Sequence, residues 1–156
     1  MQKFKNFYIS QKDRLFGYLL RRTGNYHLSA DIMQETFAKY LEVYNQASPN
    51  PALLYTISRN LLVDQFRRQR PETEYKENHH LKSDCQEDEY ILKEDSRRVL
   101  AAIQQLEPTD ADILALVVGS TMSYKEISRI TGISEGNVKI RVHRSRVKLK
   151  KILEQG

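Results

Sequence analysis

Apolar residues recur at intervals of three and four along almost the entire chain, and this spacing predicts a protein built from α-helices. In one such segment Met33, Phe37, Tyr40 and Tyr44 fall on a single face, as an amphipathic helix requires. We find no convincing stretch of the apolar–polar alternation that marks a half-buried β-strand. The chain is therefore predicted to be all-α.

Helix stop signals divide residues 1–70 into three helices that form a first domain. Gly24 suits a left-handed C-terminal cap. Pro51 removes a backbone donor and forces a break in the helical pattern. Three helices with short connections can close one small core. The predicted helices cover residues 4–23, 28–46 and 52–70.

The composition changes after Arg70. Residues 71–95 carry three basic against nine acidic side chains, with few apolar residues before Tyr90. Such a sequence buries too little apolar surface to offset the entropy of ordering. We therefore predict a flexible acidic linker over residues 71–90 and a second small helical domain over residues 91–156.

The second domain begins with two helix-forming segments. Ile103 and Leu106 share one helical face of the first segment. Pro108 and Thr109 open the next helix, and Asp112 is the expected capping-box partner of Thr109.

The rest of this domain carries the signals of a helix-turn-helix motif. Ser123 and Glu126 have the spacing of a capping box and start a short helix. Gly132 can supply the positive φ angle of a tight turn, and Ser134 can cap a final long helix. Helix, glycine turn and helix in this order predict the motif.

Two basic blocks flank an acidic one. Residues 1–70 have a net charge of +6, residues 71–95 of −6, and residues 96–156 of +5. Basic surfaces bind phosphates and release condensed counterions, so nucleic acid is the leading partner for both ends. From charge alone, an ordinary basic surface remains the alternative.

The final helix is strongly basic, with seven Lys or Arg side chains between Glu135 and Lys151. Val138 and Val142 are expected to face inward. The opposite face then suits base edges in the major groove, with further cations placed for phosphates. A merely solvated basic helix is the alternative, which the preceding glycine turn and capped helix disfavour. The base-edge residues are Lys139, Ile140, His143 and Arg144, and the phosphate residues are Arg141, Arg146 and Lys148.

The second helix has an acidic face within an otherwise basic domain. A polar face is usual on a surface helix, but an acidic one here suggests a protein partner rather than DNA. This face consists of Asp31, Gln34, Glu35, Ala38 and Glu42.

The third helix has a mixed polar stripe that can hydrogen-bond base edges and hold phosphates. The stripe consists of Thr56, Asn60, Asp64 and Arg67, with Arg59 and Arg68 beside it. Tyr55 and Phe66 lie near enough to offer stacking surface to unpaired bases, although each is more often a core residue.

Together these segments resemble the extracytoplasmic-function (ECF) group of the sigma-70 family of RNA polymerase sigma factors. Residues 29–37 look like the polymerase-binding helix of sigma domain 2, and residues 55–68 look like that domain's minus-ten recognition helix. Residues 123–146 look like the helix-turn-helix of sigma domain 4. The interval between the domains leaves no room for another sigma domain, which is typical of the ECF group.

The resemblance implies a role for each surface. The acidic face would dock on the coiled-coil clamp of the polymerase β′ subunit, the third helix would meet the minus-ten element as it melts, and the final helix would read the minus-35 element. The loop at residues 48–51 would help to hold a flipped base. The implied residues are Asp31, Gln34, Glu35 and Phe37 for polymerase, Asn60, Asp64, Arg67 and Arg68 for minus-ten DNA, and Lys139, Ile140, Arg141, His143, Arg144 and Arg146 for minus-35 DNA.

The resemblance also implies the partners. These are core RNA polymerase, through its β′ clamp coiled coil and its β subunit, promoter DNA, and an anti-sigma factor that holds the protein inactive. In the family the linker passes through the active-site and RNA-exit channel, and an acidic linker suits a basic channel. No cofactor and no enzymatic activity are implied.

The chain departs from the family pattern at three positions. Leu54 stands where the family usually has tryptophan, and Thr131 stands where it usually has leucine. Ile140 replaces a small polar residue, and its side chain can contact a thymine methyl group. We therefore expect a minus-35 preference that differs from the family's.

Other functions fit the sequence less well. A free-standing helix-turn-helix regulator would explain the second domain but neither the acidic face nor the polar stripe. A sigma-like decoy would predict a neutral final helix. An enzyme is least favoured because no activated nucleophile is visible, and His79, His80 and Cys85 are too loosely spaced for a zinc site.

The sequence also predicts a cytoplasmic location. The longest apolar runs, such as residues 113–118, are far shorter than the roughly 20 residues that span a bilayer. The first residues do not resemble a signal peptide. A single cysteine, Cys85, suits a reducing compartment.

Overall fold

The computed structural model describes residues 2–43, 49–69, 94–119 and 121–155, and within these ranges all regular structure is α-helical. This confirms the predicted all-α fold. The predicted linker at 71–90, the domain boundaries beside it and part of the 48–51 loop lie outside the described residues. The helices are α1 (Gln2–Thr23), α2 (Tyr26–Val43), α3 (Pro51–Gln69), α4 (Glu94–Gln104), α5 (Pro108–Val117), α6 (Tyr124–Thr131) and α7 (Glu135–Gln155).

Local signals set the helix ends in the N-terminal bundle, α1–α3. Gly24 has a φ angle of 66° and donates its amide to the Leu20 carbonyl at 2.8 Å, which ends α1 as predicted. Asn50 precedes α3, and its Oδ1 accepts the Leu53 amide at 3.1 Å. Pro51 then occupies the first helical position, where its missing amide costs no hydrogen bond.

Aromatic side chains dominate the core of this bundle. The rings of Phe7 and Tyr40 stack with centroids 4.9 Å apart, and Tyr18 meets Tyr55 edge-on at 5.6 Å. The Tyr40 hydroxyl accepts the Asn50 amide at 3.0 Å, so its polar end is satisfied. Tyr55 is 2% exposed, which rules out the base-stacking surface that its sequence position suggested.

The C-terminal bundle, α4–α7, contains the predicted helix-turn-helix. Ser123 and Glu126 form a reciprocal capping box at the start of α6. Gly132 has a φ angle of 80° and donates to the Ser128 carbonyl, which ends α6. The Ser134 hydroxyl accepts the Asn137 amide at 3.3 Å and caps α7. The motif is confirmed in detail because each of its signals acts over a few residues.

The predicted capping box at the start of α5 is wrong. Glu107, not Thr109, is the N-cap residue, and its carboxylate accepts the amides of Thr109 and Asp110. Asp112 instead points into the protein and is 4% exposed. Glu107 carries a carboxylate in the position before Pro108, so it can cap the helix without Asp112.

The two bundles pack against each other through a shared apolar core. Leu15 and Leu19 of α1 belong to the same buried cluster as Ile113 and Leu116 of α5. Helix α1 contacts α4 and α5, and α3 contacts α6. None of the helices in the described ranges is long and apolar enough to cross a membrane.

Candidate docking and nucleic-acid surfaces

The acidic face of α2 is fully available at the surface. Asp31, Gln34 and Glu35 are exposed, as are Ala38 and Glu42 one and two turns further on. At about 100° of rotation per residue these five positions fall within one narrow stripe. The structure therefore brings them together as one continuous face.

Phe37 supports this face from below and does not contribute to its surface. It is 5% exposed, and its ring meets Tyr8 edge-on at a centroid distance of 4.7 Å. Phe4 approaches the same ring at 6.4 Å. A contact of Phe37 with another protein would require the aromatic cluster to open.

The α3 stripe predicted to meet DNA is also exposed. Asn60, Asp64, Arg67 and Arg68 are all exposed. They bring an amide, a carboxylate and two guanidinium groups to one side of the helix. These groups can donate to phosphates and base acceptors and accept from base amino groups.

An open groove of about 560 Å³ runs beside this stripe. Arg22 lies over one face of the Phe66 ring at 5.2 Å, as in a cation–π contact. The groove lies between the bundles and is lined by Arg22, Thr23, Val63, Phe66, Arg67, Gln104, Leu106, Pro108 and Ala111.

Helix α7 presents the predicted recognition face. Its exposed residues include Lys139, Ile140, His143 and Arg144, whereas Val138 and Val142 are buried against the bundle. At about 100° per residue, Ile140 and His143 lie near the centre of the exposed face, with Lys139 and Arg144 on its two flanks. Ile140 is 54% exposed, so its side chain is available for contact with a partner.

Arg146 and Arg141, which were predicted to bind phosphates, differ in their surroundings. Arg146 is exposed. Arg141 is held within the bundle, where its Nη1 donates to Asp110 Oδ1 at 2.8 Å and to Glu107 Oε2 at 3.4 Å. The Arg141 guanidinium therefore joins α7 to the start of α5 in this structure.

The structure contains a buried ionic cluster that was not predicted from the sequence. The Asp112 carboxylate of α5 accepts Tyr18 Oη at 2.6 Å, Arg22 Nε at 3.0 Å and Arg59 Nε at 2.6 Å. Burial first, and then the neighbouring carboxylate, raises the pKa of Tyr18 well above its usual value, so this hydroxyl remains a donor. We call these four residues the Asp112 cluster.

One signal could have revealed this cluster. Asp112 is the only charged residue within the buried run from 111 to 116 of α5. A carboxylate among buried apolar neighbours requires partners, and the sequence near it supplies none that face inward. Its three donors come from positions 53 to 94 residues away, which only the tertiary fold brings near.

A second polar contact joins the bundles at the end of α5. Arg21 donates to the Ala115 carbonyl at 2.9 Å and to the Val118 carbonyl at 2.6 Å. The last carbonyls of a helix lack intrahelical partners and carry partial negative charge, so a guanidinium stabilises them. Burial lowers the pKa of Arg21 from its usual value.

Among the described residues, no three His, Cys, Asp or Glu side chains are grouped closely enough to hold a metal ion. The His79, His80 and Cys85 side chains considered above lie outside that part of the chain.

Comparisons with known families match both bundles. Residues 7–72 match sigma-70 region 2, and residues 96–149 match sigma-70 region 4. The acidic face and the α3 stripe lie within the first match, and the helix-turn-helix lies within the second.

Curated relatives extend the match over nearly the whole chain. The ECF RNA polymerase sigma factor EcfG of Rhodopseudomonas palustris is 32% identical over 145 residues, which cover 89% of this chain and 78% of the relative. The RNA polymerase sigma factor CarQ of Myxococcus xanthus is 28% identical, and the match covers 96% of this chain and 88% of the relative.

A solved structure has the same overall fold. The sigma factor RpoE of Bartonella quintana, crystallised with the anti-sigma factor NepR, aligns with a TM-score of 0.77 over 99% of this chain and 98% of that one, at 21% identity. Three findings indicate the same family. They are the sequence matches to regions 2 and 4, the curated relatives, and the fold shared with the solved sigma factor. The chain belongs to the ECF group of the sigma-70 family, a family of transcription initiation factors rather than of enzymes.

Proposed function

We propose that this chain binds core RNA polymerase and directs it to promoters, and that it acts without covalent chemistry of its own. One observation carries the proposal: the protein exposes an acidic face on α2, a mixed polar stripe on α3 and a basic face on α7 at the same time. A single DNA-binding module needs only the last of these. Polymerase docking and two-point promoter contact need all three.

The acidic face is the proposed polymerase-docking surface. Asp31 and Glu35 offer carboxylates to a basic partner, and Gln34 adds an amide between them. Exposed charges of this kind steer association and fix the orientation of the partner. The β′ clamp coiled coil is the proposed partner, with the β subunit contacted elsewhere, and Phe37 keeps α2 in position from beneath.

The α3 stripe is the proposed minus-ten site. Arg67 and Arg68 attract the phosphates of the melted strand, while Asn60 and Asp64 hydrogen-bond exposed base edges. Strand separation is favoured because binding energy is gained only when the bases are unpaired. The protein stabilises the open strand and does not hydrolyse a nucleotide.

Helix α7 is the proposed minus-35 reader. Ile140 and His143, near the centre of its exposed face, are proposed to meet base edges. Lys139 and Arg144, which the sequence analysis assigned to base edges as well, lie on the two flanks, and we assign them instead to the two phosphate backbones. Arg146 adds a phosphate contact, and Arg141 fixes the helix to α5. Specificity and affinity therefore rest on different residues of one helix.

An anti-sigma factor is the proposed regulator, and the cytoplasm is the proposed location. The Bartonella relative was solved with an anti-sigma factor bound, and this chain shares its fold over 99% of its length. A transcription initiation factor works where core polymerase and chromosomal DNA are found.

Run-off transcription tests the proposal. The protein is mixed with sigma-free core polymerase and a library of genomic fragments from its own bacterium, and transcripts are sequenced. We expect transcripts with discrete 5′ ends that are absent without the protein. DNA binding without polymerase, together with no transcripts in its presence, would favour the free-standing helix-turn-helix regulator instead.

Substitution of Ile140 is expected to change promoter choice. Ile140→Ser removes apolar contact with a thymine methyl, worth about 0.8 kcal/mol per buried methyl-sized group, or roughly fourfold in binding. The variant should lose its preference for thymine at one minus-35 position, as read by sequencing library transcripts. Ile140→Val keeps the contact and should keep the preference. An unchanged promoter set with Ile140→Ser would remove Ile140 from the reading residues.

A further inference from the structure

Gly136 is a glycine that the protein's own structure does not require. It lies in the first turn of α7, and its φ angle is not positive, unlike those of Gly24, Gly119 and Gly132. A Cβ added at Gly136 would meet no atom of the described residues within 4 Å, apart from its chain neighbours and the backbone of its own helix. Neither the backbone conformation nor packing within the described protein therefore explains this glycine.

Gly17, the other glycine within a described helix, has an internal reason. A Cβ at Gly17 would lie 3.0 Å from Arg21 Nη1, and this guanidinium binds the carbonyls at the end of α5. Glycine is less favourable in a helix than every residue except proline, so its presence there indicates that space is needed. At Gly17 the space is used by Arg21, which leaves Gly136 as the position to be explained.

Gly136 lies on the centre line of the exposed face of α7. At about 100° of rotation per residue, Ile140 and His143 fall within about 40° of it, whereas the buried Val138 lies on the opposite side. Ile140 follows about 6 Å further along the helix axis. This face thus begins with bare backbone and continues with the two residues proposed to meet base edges.

The first turn of α7 is where DNA would come closest to the helix. The N-terminal residues of a recognition helix are those that contact base edges. The major groove is about 12 Å wide and a helix with its side chains is about 10–12 Å across, so a few ångströms decide how far the helix enters. Glycine allows a backbone to approach a ligand closely. A side chain at position 136 would take up this space.

From this geometry we infer that Gly136 sets the depth at which α7 enters the major groove of the minus-35 element. The inference rests on the proposed role of α7. Gly136 is a positioning residue, because its lack of a side chain allows Ile140 and His143 behind it to reach the bases. A side chain at position 136 would hold α7 away from the floor of the groove, and both base contacts would be lost together.

The flanking cations should be affected less than the central residues. Lys139 and Arg144 have long side chains, and a contact with phosphate does not require the helix to touch base edges. A helix that is held further out can therefore still bind DNA while it loses sequence discrimination. This combination differs from the result of a general loss of folding or of charge.

The test compares Gly136→Ala and Gly136→Leu with the wild type. RNA polymerase that carries each protein is titrated against a duplex promoter identified by run-off transcription. We expect Gly136→Leu to weaken binding by roughly tenfold, as a lost base contact does, and Gly136→Ala to weaken it less. Ala101→Leu is the matched control, since it adds similar bulk at an exposed position of α4 and should bind as the wild type does.

Melting temperatures separate positioning on DNA from a role in folding. Gly136→Ala introduces a better helix former into open space, so the melting temperature of the free protein should rise by up to about 4 °C. Weaker promoter binding by a protein that is no less stable then cannot result from misfolding. A lower melting temperature for Gly136→Ala would assign the glycine to folding and overturn the inference.

A double-mutant cycle with Ile140 gives the most specific readout. If Gly136→Leu already withdraws Ile140 from the bases, adding Ile140→Ser should weaken binding no further. In the Ala101→Leu background, Ile140→Ser should keep its roughly fourfold effect. Wild-type affinity in both Gly136 variants, or the full Ile140→Ser effect in Gly136→Leu, would overturn the inference and leave the proposed function intact. No transcripts from the wild type would refute the proposed function and the inference with it.

Discussion

Reversing the charges of Asp31 and Glu35 together is expected to abolish co-purification of the protein with core RNA polymerase. Both side chains are exposed on one stripe of α2, so Asp31→Arg with Glu35→Arg presents like charge to a basic partner. Like charges facing each other at an interface cost several kcal/mol, and each 1.4 kcal/mol is tenfold in affinity. We expect a loss of roughly 100-fold or more, measured by pull-down with tagged polymerase and by titration.

The control for this experiment makes the same change of net charge elsewhere. Asp13→Arg with Glu154→Arg alters two exposed carboxylates on α1 and α7 and should bind polymerase as the wild type does. Circular dichroism should show unchanged helix content in both double variants. If polymerase binding survives the reversal on α2, the docking surface lies elsewhere.

The part of the fold that local sequence determines could be predicted. The capping box of Ser123 and Glu126 and the left-handed glycine at 132 act within a few residues, and both appear in the structure as expected. The exposure of the α2 and α7 faces follows equally from helical periodicity, because Ile32 and Val138 on the opposite faces are buried.

The part of the fold that depends on contacts between distant residues could not be predicted from the sequence. Asp112 was expected to cap its own helix, and instead it binds three side chains from the other bundle. Tyr55 was left open between a core position and a stacking surface, and only the structure decides for the core, where its ring packs against Tyr18. Arg141 stays a predicted phosphate contact, but its ion pair with Asp110 could not be foreseen from the sequence. In each case helical periodicity predicts the helix on which the residue lies, but it does not predict which helix packs against that residue.

These long-range contacts explain how a small protein can carry three exposed polar faces. The two bundles share a large apolar cluster, beside a smaller one within the C-terminal bundle, so neither has to provide all of its own buried surface. The polar groups that remain at the seam are paired with each other, which leaves the faces of α2, α3 and α7 free for partners. The contact between the bundles thus contributes to stability, and recognition is left to the exposed faces of α2, α3 and α7.

Removing the two flanking cations of the recognition helix is expected to weaken promoter binding by about 100-fold. Lys139 and Arg144 are exposed on either side of Ile140 and His143. A hydrogen bond to a charged group contributes about 1.5–3 kcal/mol, so loss of two such phosphate contacts removes about 3 kcal/mol or more. Lys139→Ala with Arg144→Ala should also lower the salt slope of binding by about two.

Promoter affinity is measured by titrating polymerase that carries the variant against a duplex promoter. The promoter is one identified by run-off transcription. Weakening should be similar for all promoters, because phosphate contacts carry no sequence information. Lys150→Ala with Lys151→Ala removes the same charge near the exposed end of α7 and should cost far less, since these residues lie beyond the proposed groove. An equal loss in both double variants would mean that α7 attracts DNA through its total charge alone. A loss confined to certain promoters would instead place Lys139 or Arg144 on base edges, and the division between central readers and flanking phosphate contacts would then be wrong.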